Sequence, residues 1–186
     1  MPTKTKGLAL SAIIASLTAG TGGFAIPLPF TPVPITLQVF FVFLAGSVAG
    51  PFYGTLSMLL YLAMGSFGLP VFSRFSAGIA HLLGPTGGYL IAFPIATYIN
   101  GLITSRRSST PLAEYVKVSC GMIAALAVIY VVGVGWLSAF LKRPFLDAFI
   151  IGGLPFLPVD ILKMVVAIPI AIRLRKELAS ILSRGG

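Results

Sequence analysis

Asp160 and Lys163 are the residues of this sequence whose types and spacing point most directly to chemistry. They lie three positions apart in FLPVDILKM (residues 156–164), inside the last long apolar segment. At helical spacing they share a face, where a carboxylate acceptor lies beside an ammonium donor. An ion near the centre of a membrane helix costs about 2.5–3.5 kcal/mol, so such residues usually mark a binding site or an ion path. The pair therefore predicts a site for a polar ligand. A structural ion pair, or side chains that snorkel to the interface, is the alternative.

Other polar side chains fall at the same depth, near the predicted outer ends of helices. Gln38 lies about one turn inside one apolar segment, and Tyr89 lies near the start of another. The connection before Tyr89 adds Arg74, Ser76, His81 and Thr86. The inner half of the chain is expected to be plainly apolar, so the pattern predicts a pocket open to the outside and not a channel. Hydrogen bonding between helices is the alternative role for Gln38 and Tyr89.

The motif GPTGG (residues 84–88) is rich in glycine, as phosphate-binding loops are. It lacks the lysine of a P-loop, however, and does not follow a predicted strand. Its glycines instead predict a tight entry into the next helix and a close approach of the backbone to a ligand. We therefore count Gly84, Thr86, Gly87 and Gly88 among the candidate binding residues, and we expect no ATPase activity from this chain.

The composition gives catalysis little support. The chain holds four acidic residues, one histidine and one cysteine. One histidine and one cysteine cannot form the usual metal shell, and a set of nucleophile, base and orienting residue is not recognisable. The sequence predicts a binding protein that is not an enzyme and that uses no metal or cofactor.

The elements that position these residues are expected to lie in a membrane. The 186 residues are 57% hydrophobic and only 9% charged, and the mean hydropathy is +1.02. Soluble domains carry roughly 25% charged residues. Several apolar segments approach the ~20 residues that a helix needs to cross a bilayer. We predict an all-α, polytopic membrane protein with a single domain over residues 1–186.

Six apolar segments are predicted to be transmembrane helices. Four prolines in PLPFTPVP (residues 27–34) end the first segment. Gly50-Pro51 marks a tight turn between the second and third. The predicted spans are residues 7–26, 35–49, 52–65, 89–104, 117–140 and 156–175.

Basic residues are divided unequally between the two sides of this arrangement. Six spans place both termini on one side, which carries nine Lys and Arg against three on the other, with Lys163 inside a span. The nine are Lys4, Lys6, Arg106, Arg107, Lys117, Arg173, Arg175, Lys176 and Arg184. The positive-inside rule places them in the cytoplasm. The asymmetry predicts a multi-pass protein of a cell membrane with both termini in the cytoplasm, and it accounts for most of the net charge of +9 without nucleic acid.

Small residues recur along the first predicted helix. Gly7, Ser11, Ala15 and Ala19 are spaced by four, and Ala12, Ser16 and Gly20 form an adjacent stripe. Small residues at this spacing allow two membrane helices to approach closely. The stripe predicts either a surface for a partner protein, with Ser11, Ala12, Ala15, Ser16 and Ala19 as contacts, or packing inside the same bundle.

Four blocks of the sequence together resemble the BioY family, the biotin-specific substrate-binding (S) components of energy-coupling factor (ECF) transporters. They are PVPITLQ (32–38), LAGSVAGPFYGTLSMLLYLAMGSFGLPVF (44–72), GIAHLLGPTGGYLIAFPIA (78–96) and PFLPVDILK (155–163). The resemblance covers most of residues 30–163, and GPTGGYL and the Asp-x-x-Lys pair are its more specific parts. Residues 105–150 match little.

The resemblance implies a fold, a ligand and partners. It implies six helices, a biotin pocket near the extracellular side, and docking to a transmembrane coupling protein that carries two cytoplasmic ATPase subunits. It also implies that small residues of the first helix face that coupling protein. Asp160 and Lys163 carry over as ligand contacts, with Gln38 and Tyr89 after them. Arg74, as a cation for the carboxylate of biotin, and Phe75, as cover for its rings, are further expected contacts. They lie in SRFSAG (73–78), where the family is expected to have a more uniformly Gly/Ser-rich loop.

Other functions remain open at this point. An S component for a different vitamin is the main alternative within transport. A membrane-embedded enzyme or a structural membrane protein is the broader one.

Overall fold

The computed structural model describes residues 4–106 and 108–184, with side chains up to residue 180. Arg107 and the side chain of Arg184, which enter the count of basic residues, therefore lie outside the described part. The described residues form mainly α-helices: α1 (Lys4–Gly20), α2 (Gln38–Leu44), α3 (Gly50–Ser66), α4 (Ile79–Leu82), α5 (Gly87–Thr104), α6 (Pro111–Leu141), α7 (Phe145–Gly152) and α8 (Leu157–Arg184).

A β-hairpin follows α1 and is an exception to the all-α prediction, which the mainly helical fold otherwise bears out. The strands β1 (Ala25–Leu28) and β2 (Thr31–Thr36) pair antiparallel. The first helix, expected to reach residue 26, ends at Gly20. The prolines of residues 27–34 stop the helix as predicted, but proline is also tolerated in edge strands, where an amide donor is not required. The segment therefore pairs with itself and does not remain an irregular loop.

The chain reverses direction at Gly50. A π-helical turn (Ala45–Ala49) joins α2 to α3, and Gly50 has a φ of 77°. The side-chain amide of Gln38 donates to the hydroxyl of Tyr61 over 2.7 Å. A straight helix would separate these residues by roughly 35 Å. Helices α2 and α3 therefore run antiparallel, with the turn where Gly50-Pro51 predicts it.

Glycines let α5 pack closely on both of its neighbours. A Cβ on Gly88 would lie 2.1 Å from Cβ of Trp136 in α6, and one on Gly101 would lie 2.4 Å from the amide nitrogen of Pro51 in α3. Helix α5 is accordingly the most buried of the three candidate spans found by length and hydropathy, since 67% of its residues are buried. It forms the centre of the bundle and carries Tyr89 in its first turn.

A buried polar network lies at the end of the bundle where α5 ends and α6 begins, in the half that the sequence predicted to be plainly apolar. Arg175 Nε lies 2.8 Å from Glu114 Oε1. The same guanidinium donates to the carbonyl of Ser47 and, over 2.7 Å, to the carbonyl of Thr104. Asn100 donates to the carbonyl of Phe43 over 2.9 Å. The acceptor carbonyls lie in α2, in the π-helical turn and at the end of α5. The bonds of Arg175 tie α8 to the rest of the bundle.

Length and hydropathy alone find three described stretches able to cross a membrane: residues 38–66, 87–104 and 111–141. Helices α7 and α8, bent by 59° at the break between them, count as a fourth only when the bent pair is taken as one span. Helix α1 has 17 residues, slightly fewer than the ~20 that a helix needs to cross a bilayer. The reversal at Gly50 divides the first stretch into two antiparallel helices. The arrangement of six spans stays a prediction.

Candidate ligand-binding site

Asp160 and Lys163 form a buried ion pair in the first two turns of α8. Lys163 Nζ lies 2.7 Å from Asp160 Oδ1. Lys163 is only 9% exposed and Asp160 only 4%. The hydroxyl of Tyr130, from α6, donates to the other carboxylate oxygen over 2.8 Å. Asp160 is therefore held from two directions, which fixes the orientation of its oxygens.

The pair lines a cavity between α2, α5, α6 and α8. The cavity encloses about 570 Å³, part of it open to solvent, and β2 covers one side through Val33, Pro34 and Thr36. Its polar lining consists of Thr36, Gln38, Ser73, His81, Thr86, Tyr89, Tyr130, Asp160 and Lys163. The remaining wall is apolar or aromatic. A mainly apolar cavity with a few convergent polar groups is typical of a small-molecule site.

Gln38 reaches the cavity from the first turn of α2. Gln38 is only 3% exposed. Its amide nitrogen donates to Tyr61, and the hydroxyl of Thr36 donates to its amide oxygen over 3.4 Å. The hydroxyl of Tyr61 in turn donates to the carbonyl of Val71 over 3.4 Å. This chain of hydrogen bonds holds the amide of Gln38 in place against the cavity.

Tyr89 joins the start of α5 to the end of α7. Its hydroxyl donates to the carbonyl of Gly152 over 2.8 Å. Gly133 admits the ring, because a Cβ there would lie 2.3 Å from it. The ring therefore forms a fixed wall of the cavity, and its hydroxyl is already engaged by protein.

His81 lies at the outer end of the cavity, in the short helix α4. Its Nδ1 is 3.0 Å from the hydroxyl of Ser76, and its Nε2 is 3.3 Å from the hydroxyl of Thr86. The ring stacks on Phe72, with centroids 5.2 Å apart. Burial lowers the pKa of His81, because it disfavours the charged ring. A neutral His81 therefore fixes Thr86 at the cavity wall.

Several predicted residues are not brought to this cavity. Arg74 and Gly84 line an adjacent outer groove. The ring of Phe75 lies against Gly23, where a Cβ would approach it to 2.0 Å. Gly87 packs against the carbonyl of Leu82, and Gly88 packs against Trp136. The close approach expected of Gly87 and Gly88 is thus to protein, not to the cavity.

The small-residue stripe of α1 divides into two faces. Ser11 and Ala15 are buried within the chain, Ala19 is half-buried, and Ala12 and Ser16 are exposed. The hydroxyl of Ser11 donates to the carbonyl of Tyr53 in α3 over 2.8 Å. Packing inside the bundle, the alternative left open by the sequence, therefore applies to Ser11 and Ala15. Ala12 and Ser16 remain accessible to a partner.

Some cavity residues were not found from the sequence. Tyr130 stands alone in the apolar segment ALAVIYVVG, where nothing distinguishes it from a lipid-facing tyrosine. Phe93 and Ile129 likewise look like ordinary packing residues. Phe156, in contrast, lies four positions before Asp160 and seven before Lys163. That helical spacing places all three on one face and gave a usable signal.

The arrangement suits binding more than catalysis. A desolvated carboxylate accepts N–H groups, and the adjacent ammonium donates to a carbonyl or an anion. No cluster of three or more His, Cys, Asp or Glu that could hold a metal ion occurs among the described residues.

Comparisons with known proteins agree on one family. A model of the BioY family matches residues 1–180. A "Probable biotin transporter BioY" from Pyrococcus horikoshii is 48% identical over 172 residues, which cover 92% of this chain and 98% of the relative. The "Biotin transporter BioY" of Thermotoga maritima is 43% identical, covering 83% and 88%. A crystal structure of the S-component for biotin from an ECF-type ABC transporter matches with a TM-score of 0.82 and 34% identity, covering 95% of both chains.

Proposed function

The chain belongs to the BioY family, and from that premise we propose that its cavity is a biotin site. The protein is a membrane transporter component for biotin uptake and not an enzyme. The observation that carries the proposed site is the buried Asp160–Lys163 pair in the wall of a largely apolar cavity.

Biotin matches the polar groups of this cavity. Its ureido ring offers two N–H donors and a carbonyl acceptor, while its other end is a carboxylate. An oxygen of Asp160 accepts from a ureido N–H, and Lys163 donates to the ureido carbonyl. Gln38 supplies a further amide at the cavity wall, and Tyr89 covers the rings of the ligand. A site that hydrogen-bonds a polar head group discriminates strongly against analogues without that group.

We assign Arg74 to the opposite end of the ligand. It lies outside the cavity, in the adjacent outer groove, so it is placed to attract a carboxylate at the entrance and not to contact the ureido ring. Gly84 and Thr86 line the same groove and limit its width. Phe75 supports these elements through its ring, which packs against Gly23. Gly87 and Gly88 support them by close packing against Leu82 and Trp136.

The proposed assembly is an ECF-type transporter. The chain acts as one membrane-embedded domain of six spans, with both termini in the cytoplasm of a prokaryotic cell. A transmembrane coupling protein binds the exposed face of α1 through Ala12 and Ser16, and two cytoplasmic ATPase subunits supply the energy. The accessibility of these two residues supports this choice of face.

Mass spectrometry of the ligand released from the purified solitary protein tests the proposal. We expect biotin at near-equimolar amount after growth with biotin. The Asp160→Asn variant, purified in parallel, controls for biotin carried by detergent or lipid and should retain little. Release of a different vitamin would favour an S component of another specificity. Absence of any retained small molecule, in protein that is folded, would contradict the proposed site.

A further inference from the structure

The polar groups of the cavity lie at different distances from the adjacent outer groove. Lys163 lies six residues into α8, which places it roughly 9 Å along the helix from Leu157. Thr86 directly precedes α5. Thr86 and His81 also line the adjacent outer groove, whereas Asp160 and Lys163 line the cavity but not this groove. The ion pair therefore lies away from the outer groove, and Thr86 and His81 lie beside it.

The outer end continues into a second, wider groove. Pro34, Ser73, His81 and Thr86 line both the cavity and this groove, so the four residues form a neck between them. The groove holds about 1320 Å³, part of it open to solvent. A ligand whose head lies at Asp160 and Lys163 therefore has a continuous path outward through the neck.

The groove is suited to a polar or anionic ligand end. Arg74 and Ser76 line it together with the hydroxyl of Thr31. Arg74 is exposed and held at a φ of 61°, on a turn that its own amide ties to the carbonyl of Gly22 over 2.9 Å. Within the described part of the chain, no protein group engages its guanidinium. Arg74 thus presents an uncompensated cation directly outside the neck.

A third groove gives an alternative exit but has the wrong chemistry. It meets the cavity at Thr36 and Lys163 and is otherwise lined largely by apolar side chains such as Phe24, Phe40 and Leu162. A carboxylate placed there would lose its hydration without a partner, apart from the lysine already paired with Asp160. The polar groove is therefore the favoured outlet.

We propose that the outer groove is a second subsite, which admits biotin extended through its carboxyl group as an amide. The inference rests on the proposed biotin function. An example is the amide formed with the ε-amino group of lysine. The ureido head would occupy the same inner position, the new amide would lie in the neck beside the hydroxyl of Thr86, and the carboxylate of the added lysine would face Arg74.

Calorimetry with three compounds tests this subsite. The compounds are biotin, its amide with the lysine side chain, and biotin methylated on one ureido nitrogen. We expect the dissociation constant of the lysine amide to lie within about tenfold of that of biotin. Forming the amide removes only the solvent-exposed ionic contact between the biotin carboxylate and Arg74. The methylated compound removes a buried donor and should bind roughly 30-fold or more weakly.

Two tryptophan variants of α4 localise the added group. Ala80 lines the outer groove but not the cavity. Ala80→Trp should therefore overpack the groove and weaken binding of the amide more than binding of biotin. The dissociation constant of the amide divided by that of biotin should rise by about tenfold or more. Ile79 is exposed and lines neither space, and Ile79→Trp is the matched control that should leave the ratio unchanged.

The outcomes separate this inference from the proposed function. Binding of biotin without binding of the lysine amide would overturn the second subsite and leave the biotin site standing. An equal effect of both tryptophan variants on the ratio would also overturn it. Failure of all three compounds to bind folded protein would overturn both.

Discussion

At the scale of single residues, the orientation of Asp160 depends on a neighbour in another helix. Lys163 engages one carboxylate oxygen and Tyr130 engages the other. The charged residues were found from the sequence because charge is rare in apolar segments. Tyr130 was not, since its role arises only when α6 packs beside α8.

The Tyr130→Phe variant should weaken biotin binding by about tenfold. It removes one hydrogen bond to a buried carboxylate, and such bonds contribute about 1.5–3 kcal/mol. Calorimetry against the parent measures the change. Tyr98 offers a matched control, because it is about half exposed and does not line the cavity, so Tyr98→Phe should leave affinity unchanged. Parent-like binding by Tyr130→Phe would show that the hydrogen bond from Tyr130 is not needed to orient Asp160.

His81 makes the stability of the outer end depend on pH. Its pKa is lowered by burial, so the unfolded chain binds a proton before the folded chain does as pH falls. Its contribution to stability is present above the ordinary histidine pKa of about 6.5 and is lost as pH falls below that value. Between pH 7.5 and 5.5 the melting temperature of the parent should therefore fall more than that of His81→Gln. An equal fall in both proteins would contradict this assignment.

At the scale of elements, the ends of helices were predictable where glycine and proline residues mark them. Gly50-Pro51 marks a reversal that the Gln38–Tyr61 hydrogen bond demonstrates. The proline-rich segment stops α1 as expected, yet its pairing into a hairpin depends on contacts between strands that proline content does not specify. Helix α7 was also missed, because its eight residues are far fewer than the ~20 that a transmembrane span needs.

The two faces of α1 should respond differently to tryptophan. Ala15 is 2% exposed, so Ala15→Trp overpacks the α1–α3 contact and should destabilise the solitary protein by about 1–3 kcal/mol. Ala12 is exposed, so Ala12→Trp should leave biotin binding intact but reduce copurification with a coupling subunit. Thermal unfolding and a pull-down measure the two effects. Normal assembly by Ala12→Trp would remove this face from the proposed partner surface.

At the scale of the whole molecule, the end of the bundle that carries Arg175 is more than a collection of exposed charges. Arg175, one of the nine basic residues used to orient the chain, is buried against Glu114 and backbone carbonyls of two other elements. The sequence places it correctly in the polar tail of α8, but its partners lie 61 or more positions away along the chain. Pairing over such distances is not visible in residue spacing.

Single-cysteine labelling tests the proposed orientation of the whole chain. We expect a membrane-impermeant thiol reagent added outside intact cells to modify cysteines placed at Phe67 and Phe145, which are both exposed, in a background that lacks Cys120. Cysteines placed at Ser105 and Ser109, exposed near the opposite ends of helices, should react only after the membrane is permeabilised. The reverse labelling pattern would overturn the cytoplasmic termini and the outward-facing cavity.

The most direct test of the account is biotin calorimetry on Asp160→Asn, Lys163→Met and the double variant. Leaving a buried charge without its partner typically costs about 2–5 kcal/mol in binding, so each single variant should bind roughly 30-fold or more weakly. If both side chains contact biotin, the double variant should bind no better than either single one. If the pair is only structural, replacing both residues together is tolerated. A double variant that binds biotin like the parent would therefore contradict the proposed site.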